Sequence, residues 1–235
     1  MSYSKSNARV VYDTFSNQLL SLAKSTNRIR GTVLTYNHKN LIYQSLVVLL
    51  CSSIEEYHKT FIEDWFYKLR MSNVSMKTIP NNTRMLGFLH NTENHYKNFL
   101  YDRDSEKDII NKLVKNKQIL KAYFDDSETF NINSLAKNVW SNKKYPSSKN
   151  IITLYNRLGI SNIFGKLSSL RHKNYKVQLD SFLSVRESIA HAGAGAVTFD
   201  DVKDHIEFVN ELIYMLDKEL YKHCCKVSGA SYWPK

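Results

Sequence analysis

Between residues 175 and 191 an arginine stands where a helix should bury an apolar side chain. Leu179, Phe182, Leu183, Ile189 and Ala190 recur at helical spacing, and Arg186 falls at +7, +4 and +3 from the first three and −3 and −4 from the last two. A guanidinium in such a stripe can lay its stem along the core with its head in water, or pair with a buried carboxylate. Five residues on stands His191, and imidazole is the side chain that exchanges protons near neutral pH. The two positions lie about 140° apart around a helix. A fixed cation and a proton carrier so placed converge most naturally across a cleft or a two-fold axis.

Other chemistry-bearing groups are weaker. His223, Cys224 and Cys225 form the one dense Cys/His cluster, but zinc needs about four ligands at suitable spacing and no second half exists; a frayed helix end is expected there. His38, His58, His90, His95, His172 and His205 are scattered, form no H-E-x-x-H pair and read as surface residues. Ser168, Ser169, Ser184 and Ser188 lack the G-x-S-x-G context of a hydrolase. Gly193-Ala194-Gly195 follows a helix and not a strand, which removes a dinucleotide-binding reading. Glu55 and Glu56 can face either solvent or core.

Charge is uneven. The chain has 33 basic and 22 acidic residues, a formal balance of +11. Between positions 131 and 180 there are nine basic residues, among them Lys143, Lys144, Arg171 and Lys173, and one acid, Asp180. That segment is either an ordinary solvated surface or a face for a polyanion. Three cysteines imply no disulfide framework and fit a reducing cytoplasm. MSYSKSNARVVYDTF lacks the apolar core of a signal peptide, and the longest apolar run, LVVLLC at 46–51, is far too short to span a bilayer. A cytoplasmic protein without membrane attachment is expected.

The elements that must hold these groups are helical. Seven Gly and three Pro in 235 residues leave too few turns for a sandwich or barrel and no glycine cluster for a phosphate-binding α/β fold. Val11, Phe15, Leu19 and Leu22 mark a helix over roughly 4–26, and LIYQSLVVLLCSSI marks a long core helix over about 38–70. Residues 71–103 read as a loop and then a helix. Ser105 and Asp108 cap a helix at about 106–123, and short helices are expected near 133–140, 148–158 and 161–170. The helix over 175–191 stops at Gly193 and Gly195. Thr198, with Asp201 at the third position and a Val197–Val202 staple, opens the last helix, whose stripe is Val202, Ile206, Val209, Ile213, Leu216 and Leu220. These last two helices should pack as an antiparallel hairpin on the central one.

VRESIAHAGAGAVTFDDVKDHIEFVNEL resembles the C-terminal signature of HEPN domains, whose R-x(4–6)-H motif closes the penultimate helix; here it is Arg186 and His191. SLVVLLCSSIEEYHKTFIED resembles the long helix of the same group, with Glu55 at its recurrent acidic position, and PSSKNIITLYNRLGISNIF resembles the intervening segment of the RiboL-PSP type. The likeness covers about 40–70 and 145–222. Residues 71–140 look like an insertion within a single domain spanning 1–235.

What the resemblance implies is an all-α HEPN-like bundle with a long central helix and a C-terminal helical hairpin. It further implies a metal-independent endoribonuclease, with no cofactor, in phage defence, toxin–antitoxin or stress response. Arg186 and His191 would be catalytic: His191 as proton acceptor for the attacking 2′-hydroxyl, Arg186 binding the phosphoryl oxygens. Glu55 and Glu187 would be accessory, and Lys143, Lys144, Arg171 and Lys173 would contact RNA. A homodimer would complete the site, with an antitoxin or another defence protein as further partner. Active members usually carry Asn, Asp or His after the arginine, whereas here Glu187 follows; it can orient the motif or pair with Arg186. The alternative is therefore a catalytically degenerate module that binds RNA or a partner defence protein. Gly193 replaces a tyrosine that some HEPN toxins present for nucleotidylation, so that control is not supported.

Overall fold

The computed structural model describes residues 2–31, 33–101, 105–131, 134–192 and 195–235, except the side chains of Asn94, His95, Phe99 and Ala192. In chain order the helices are α1 (Asn7–Arg28), α2 (Tyr36–Met71), α3 (Asn81–Leu100), α4 (Glu106–Lys115), α5 (Lys117–Ala122), α6 (Leu135–Trp140), α7 (Ser148–Arg157), α8 (Ile163–Arg171), α9 (Tyr175–Ala192) and α10 (Phe199–Val227). No strand forms among the described residues, so the fold is all-α.

The long α2 is the axis of the core. Leu46, Val47, Leu50, Ile54, Tyr57, Phe61, Ile62, Trp65 and Leu69 are all buried and fall within about 160° of its circumference, while Leu49, Ser52, Glu56, Glu63 and Tyr67 leave the opposite side to solvent, so α2 is central without being enclosed on every side as its apolar run suggests. Asn7 at the start of α1 meets Asp64 near the end of α2, so these two run antiparallel. Tyr57 bonds Asp217, and Trp65 packs on His223, so α10 runs beside α2 in the same sense. The Thr198–Asp201 capping box is present, Val197 and Val202 are buried, and the whole apolar stripe of α10 lies in the core. Tyr175 bonds Glu211 and Phe182 packs on His205, so α9 and α10 run in opposite senses, as the hairpin requires.

Some local expectations fail for identifiable reasons. In α1 the inward face is Ala8, Tyr12, Ser16, Leu19 and Ala23, while Val11 and Leu22 are half exposed. Small residues let α2 approach, and the Tyr12 and Ser16 hydroxyls both donate to Asn210 of α10; apolarity alone could not find this face. The helix expected over 106–123 is broken at Asn116 into α4 and α5. The end of α10 is not frayed: Cys224 is buried and the His223 ring bonds the Leu158 carbonyl oxygen. His58 is not a surface residue. It is buried in α2 with Nδ1 2.7 Å from the Ile54 carbonyl oxygen, and burial pushes its pKa down to about 4. His205 is half-buried against Phe182. The side chain of His95, and Gly193, lie outside the described residues.

The region 71–140 is tied into the same core. Backbone bonds join Met76 to Glu128 and Phe130 to Val74. Arg84 holds Asp126 and the Tyr123 carbonyl, and Tyr123, Phe130, Leu135 and Val139 are buried in the common interior.

Candidate active site

The site begins with how α9 is seated. Leu179, Phe182 and Leu183 are buried and Ile189 is half-buried, but Ala190 is exposed. The last turn therefore rises clear of the core, and it carries His191 into solvent. Arg186, one turn past Phe182, is half-buried and aimed back towards α2. The five-residue spacing thus sends the two motif side chains to different environments on one helix.

Three segments meet at Arg186. Its guanidinium lies over the ring of Tyr145, 5.6 Å from the centroid, and the Tyr145 hydroxyl donates to Glu187 Oε1 at 3.1 Å. Its Nε is buried and has no hydrogen-bond partner among the described residues. From α2 come Cys51 and Glu55. Burial raises the Glu55 carboxyl above its ordinary range, while the positive charges of Arg186 and Lys144 oppose that rise. Burial, with the nearby Glu55 carboxylate, pushes the Cys51 thiol up to about 12, so it is a neutral wall and not a nucleophile. Tyr145 is also pushed up to about 12, by burial and by its bond to Glu187; its phenol is a donor at neutral pH. Arg186, Glu187 and Glu55 thus lie near one another, but no ion pair joins Arg186 to either carboxylate.

His191 falls by helical spacing on the same face of α9 as Ser184 and Ser188. That face borders an open groove of about 530 Å³, with Asp201 and His205 of α10 on its far side.

The four basic residues divide into two groups. Lys144 is exposed beside Glu55, with the half-buried Lys143 next to it in the chain. Arg171 and Lys173 lie at the opposite end of α9, where Lys173 Nζ is 2.6 Å from Glu211 Oε2 and the Tyr175 hydroxyl donates to Glu211 Oε1. From Tyr175 to Arg186 is about 16 Å along the helix. Lys173 is therefore already neutralised by a neighbour, whereas Lys144 adds to the field at the motif.

Tyr145 and Cys51 were missed by sequence reasoning. Cys51 lay in an apolar run and looked like packing. Tyr145 sits in KKYP, where a basic pair and an aromatic precede a proline and the Ser147 cap of α7, but its partners are 41 and 42 residues away. Among the described residues, no group of three or more His, Cys, Asp or Glu is placed to hold a metal ion, and no helix is long and apolar enough to cross a membrane.

A strand-free fold on one long helix, with an arginine–histidine pair closing the penultimate helix, defines a HEPN-type helical module. The chain belongs to the RiboL-PSP-HEPN family, whose model matches residues 13–222. No curated protein and no solved structure matches it.

Proposed function

We propose that the protein is a metal-independent endoribonuclease acting in the cytoplasm, in phage defence, a toxin–antitoxin pair or a stress response. One observation carries the reading: Arg186 is held against Tyr145 with no ion-pair partner among the described residues, on a helix whose last turn presents His191 to solvent. HEPN domains are frequently ribonucleases, and these two groups suit that chemistry. His191 accepts the proton of a ribose 2′-hydroxyl as that oxygen attacks the adjacent phosphorus. Arg186, planar and permanently charged, binds the phosphoryl oxygens as charge builds on them. The leaving 5′-oxygen takes a proton from a second acid. Two copies placed about a two-fold axis supply a second imidazole, and they reconcile the 140° divergence of the pair with one shared phosphate.

Incubation with bulk RNA and transfer RNA, with and without EDTA, tests this. The expected result is EDTA-resistant cleavage leaving 2′,3′-cyclic phosphate ends, by a protein that light scattering finds dimeric. Cleavage abolished by chelation overturns the mechanism, and a strict monomer with RNA bound overturns the shared site. Glu187 favours a second reading, a module that binds RNA or a partner defence protein without cutting. RNA binding with no cleavage under any condition selects it.

A further inference from the structure

Glu187 is the feature of this chain that fits its proposed chemistry worst. A carboxylate adjacent in sequence to the phosphate-binding arginine is a built-in competitor for the guanidinium. Adjacent positions on a helix point about 100° apart, but Arg and Glu are long, and both side chains reach the same phenol: Arg186 on the ring face and Glu187 on the hydroxyl. Nevertheless no ion pair joins them, and Arg186 Nε stays without a partner although buried.

We propose that Tyr145 is a positioning residue that keeps Arg186 available to phosphate, by holding its ring face beneath the guanidinium while its hydroxyl occupies the Glu187 carboxylate. This rests on the ribonuclease reading for its consequence but not for its geometry. Tyr145 is well suited to the task. Its backbone is pinned, because the Tyr145 carbonyl accepts from the Ser147 amide and from Asn150 Nδ2 at the start of α7. A cation over an aromatic face is attracted without any hydrogen bond being used up, so the terminal N–H groups of Arg186, which unlike Nε are not sealed from solvent, remain for an anion. The phenol gives up no proton at neutral pH, since burial and the Glu187 bond both hold it in the protonated form. Glu187 accepts a bond from a neutral donor and is thereby drawn off the arginine. The same latch lets a glutamate follow the arginine directly in sequence without capturing it.

The test is a rescue. Tyr145→Phe keeps the ring and removes the hydroxyl, which releases the Glu187 carboxylate towards Arg186. Affinity for a mixed-sequence single-stranded oligoribonucleotide should fall roughly two- to fivefold, as expected when a partly exposed ion pair competes for the cation. Cleavage at subsaturating RNA should fall in proportion. Adding Glu187→Gln to Tyr145→Phe should restore most of the deficit, because the amide carries no charge to compete. A merely structural role for Tyr145 predicts no rescue, and a Tyr145→Phe defect that persists in the double variant overturns the proposal. The Arg186 Nε–H resonance, assigned by its disappearance in Arg186→Lys, gives an answer independent of activity. It should shift in Tyr145→Phe and return in the double variant, and a resonance unmoved by Tyr145→Phe overturns the latch whatever the cleavage assay gives. A resonance that moves and returns in a protein that cuts no RNA leaves the latch standing and removes the nuclease reading instead.

Discussion

Two charged groups face the long helix α2 and are treated in opposite ways. Asp217 of α10 is fully buried, and its two oxygens accept four hydrogen bonds, from the hydroxyls of Tyr3, Ser6 and Tyr57 and from the Ser6 amide. Ser6 in turn caps α1. The cluster therefore fastens α1, α2 and α10 at one point with every oxygen occupied. Arg186 of α9 is only half-buried, its Nε is unpartnered, and the two nearest carboxylates stop short of it. A saturated polar cluster has nothing left to offer a ligand and contributes rigidity, whereas the terminal N–H groups of a half-buried guanidinium that no carboxylate holds keep their bonding capacity for something outside the chain.

The largest effect expected from breaking this contrast is on rate. His191→Ala should lower cleavage by about 10²–10⁴-fold while leaving RNA affinity and the thermal midpoint nearly intact. Arg186→Ala should weaken both cleavage and binding. The two effects should not add, because both groups serve one transition state. Full-speed cleavage by His191→Ala removes the motif from the active site.

Asp217→Ala should do the reverse. It strands the buried Tyr57 hydroxyl and the Ser6 amide, at a cost of about 3–5 kcal/mol, read as a lower urea midpoint. Activity per folded molecule should be unchanged, and a variant that stays as stable as the parent breaks the contrast.

A smaller effect comes from His58, whose buried ring titrates at about 4 in the fold against an ordinary value near 6.5. The folded value is depressed, so the neutral ring's contribution is complete above about 6.5 and is lost as pH falls towards 4. Unfolding titrations should show stability falling by up to about 3 kcal/mol over that window. His58→Gln should flatten the curve there.

The smallest effect separates the two basic groups. Neutralising Lys143 and Lys144 should reduce the salt dependence of RNA affinity by about 0.7 for each single-strand phosphate that is no longer paired with a lysine. Neutralising Lys173 should change it less, because Glu211 already holds that charge. Equal changes at the two ends of α9 return the whole basic segment to ordinary surface.

Much of this was legible in the chain itself because it depends on neighbours in sequence. Helix spacing placed α2, α9 and α10. The capping residues Ser105 and Thr198, each with an aspartate three positions on, marked helix starts that the structure shows as full capping boxes. An arginine interrupting an apolar stripe, with a histidine five residues later, marks a candidate site that the resemblance to HEPN domains interprets. Tertiary structure alone decided what those groups face. The inward face of α1 is chosen by Asn210 on another helix, the burial of His58 by the elements packed around α2, and the splitting of the basic segment by where α9 begins and ends. Tyr145 meets Arg186 and Glu187 across about forty residues of chain. Periodicity reports which side of a helix is apolar. It carries no information about which distant side chain will satisfy a charge, or leave it unsatisfied, because that is settled only when separate helices pack.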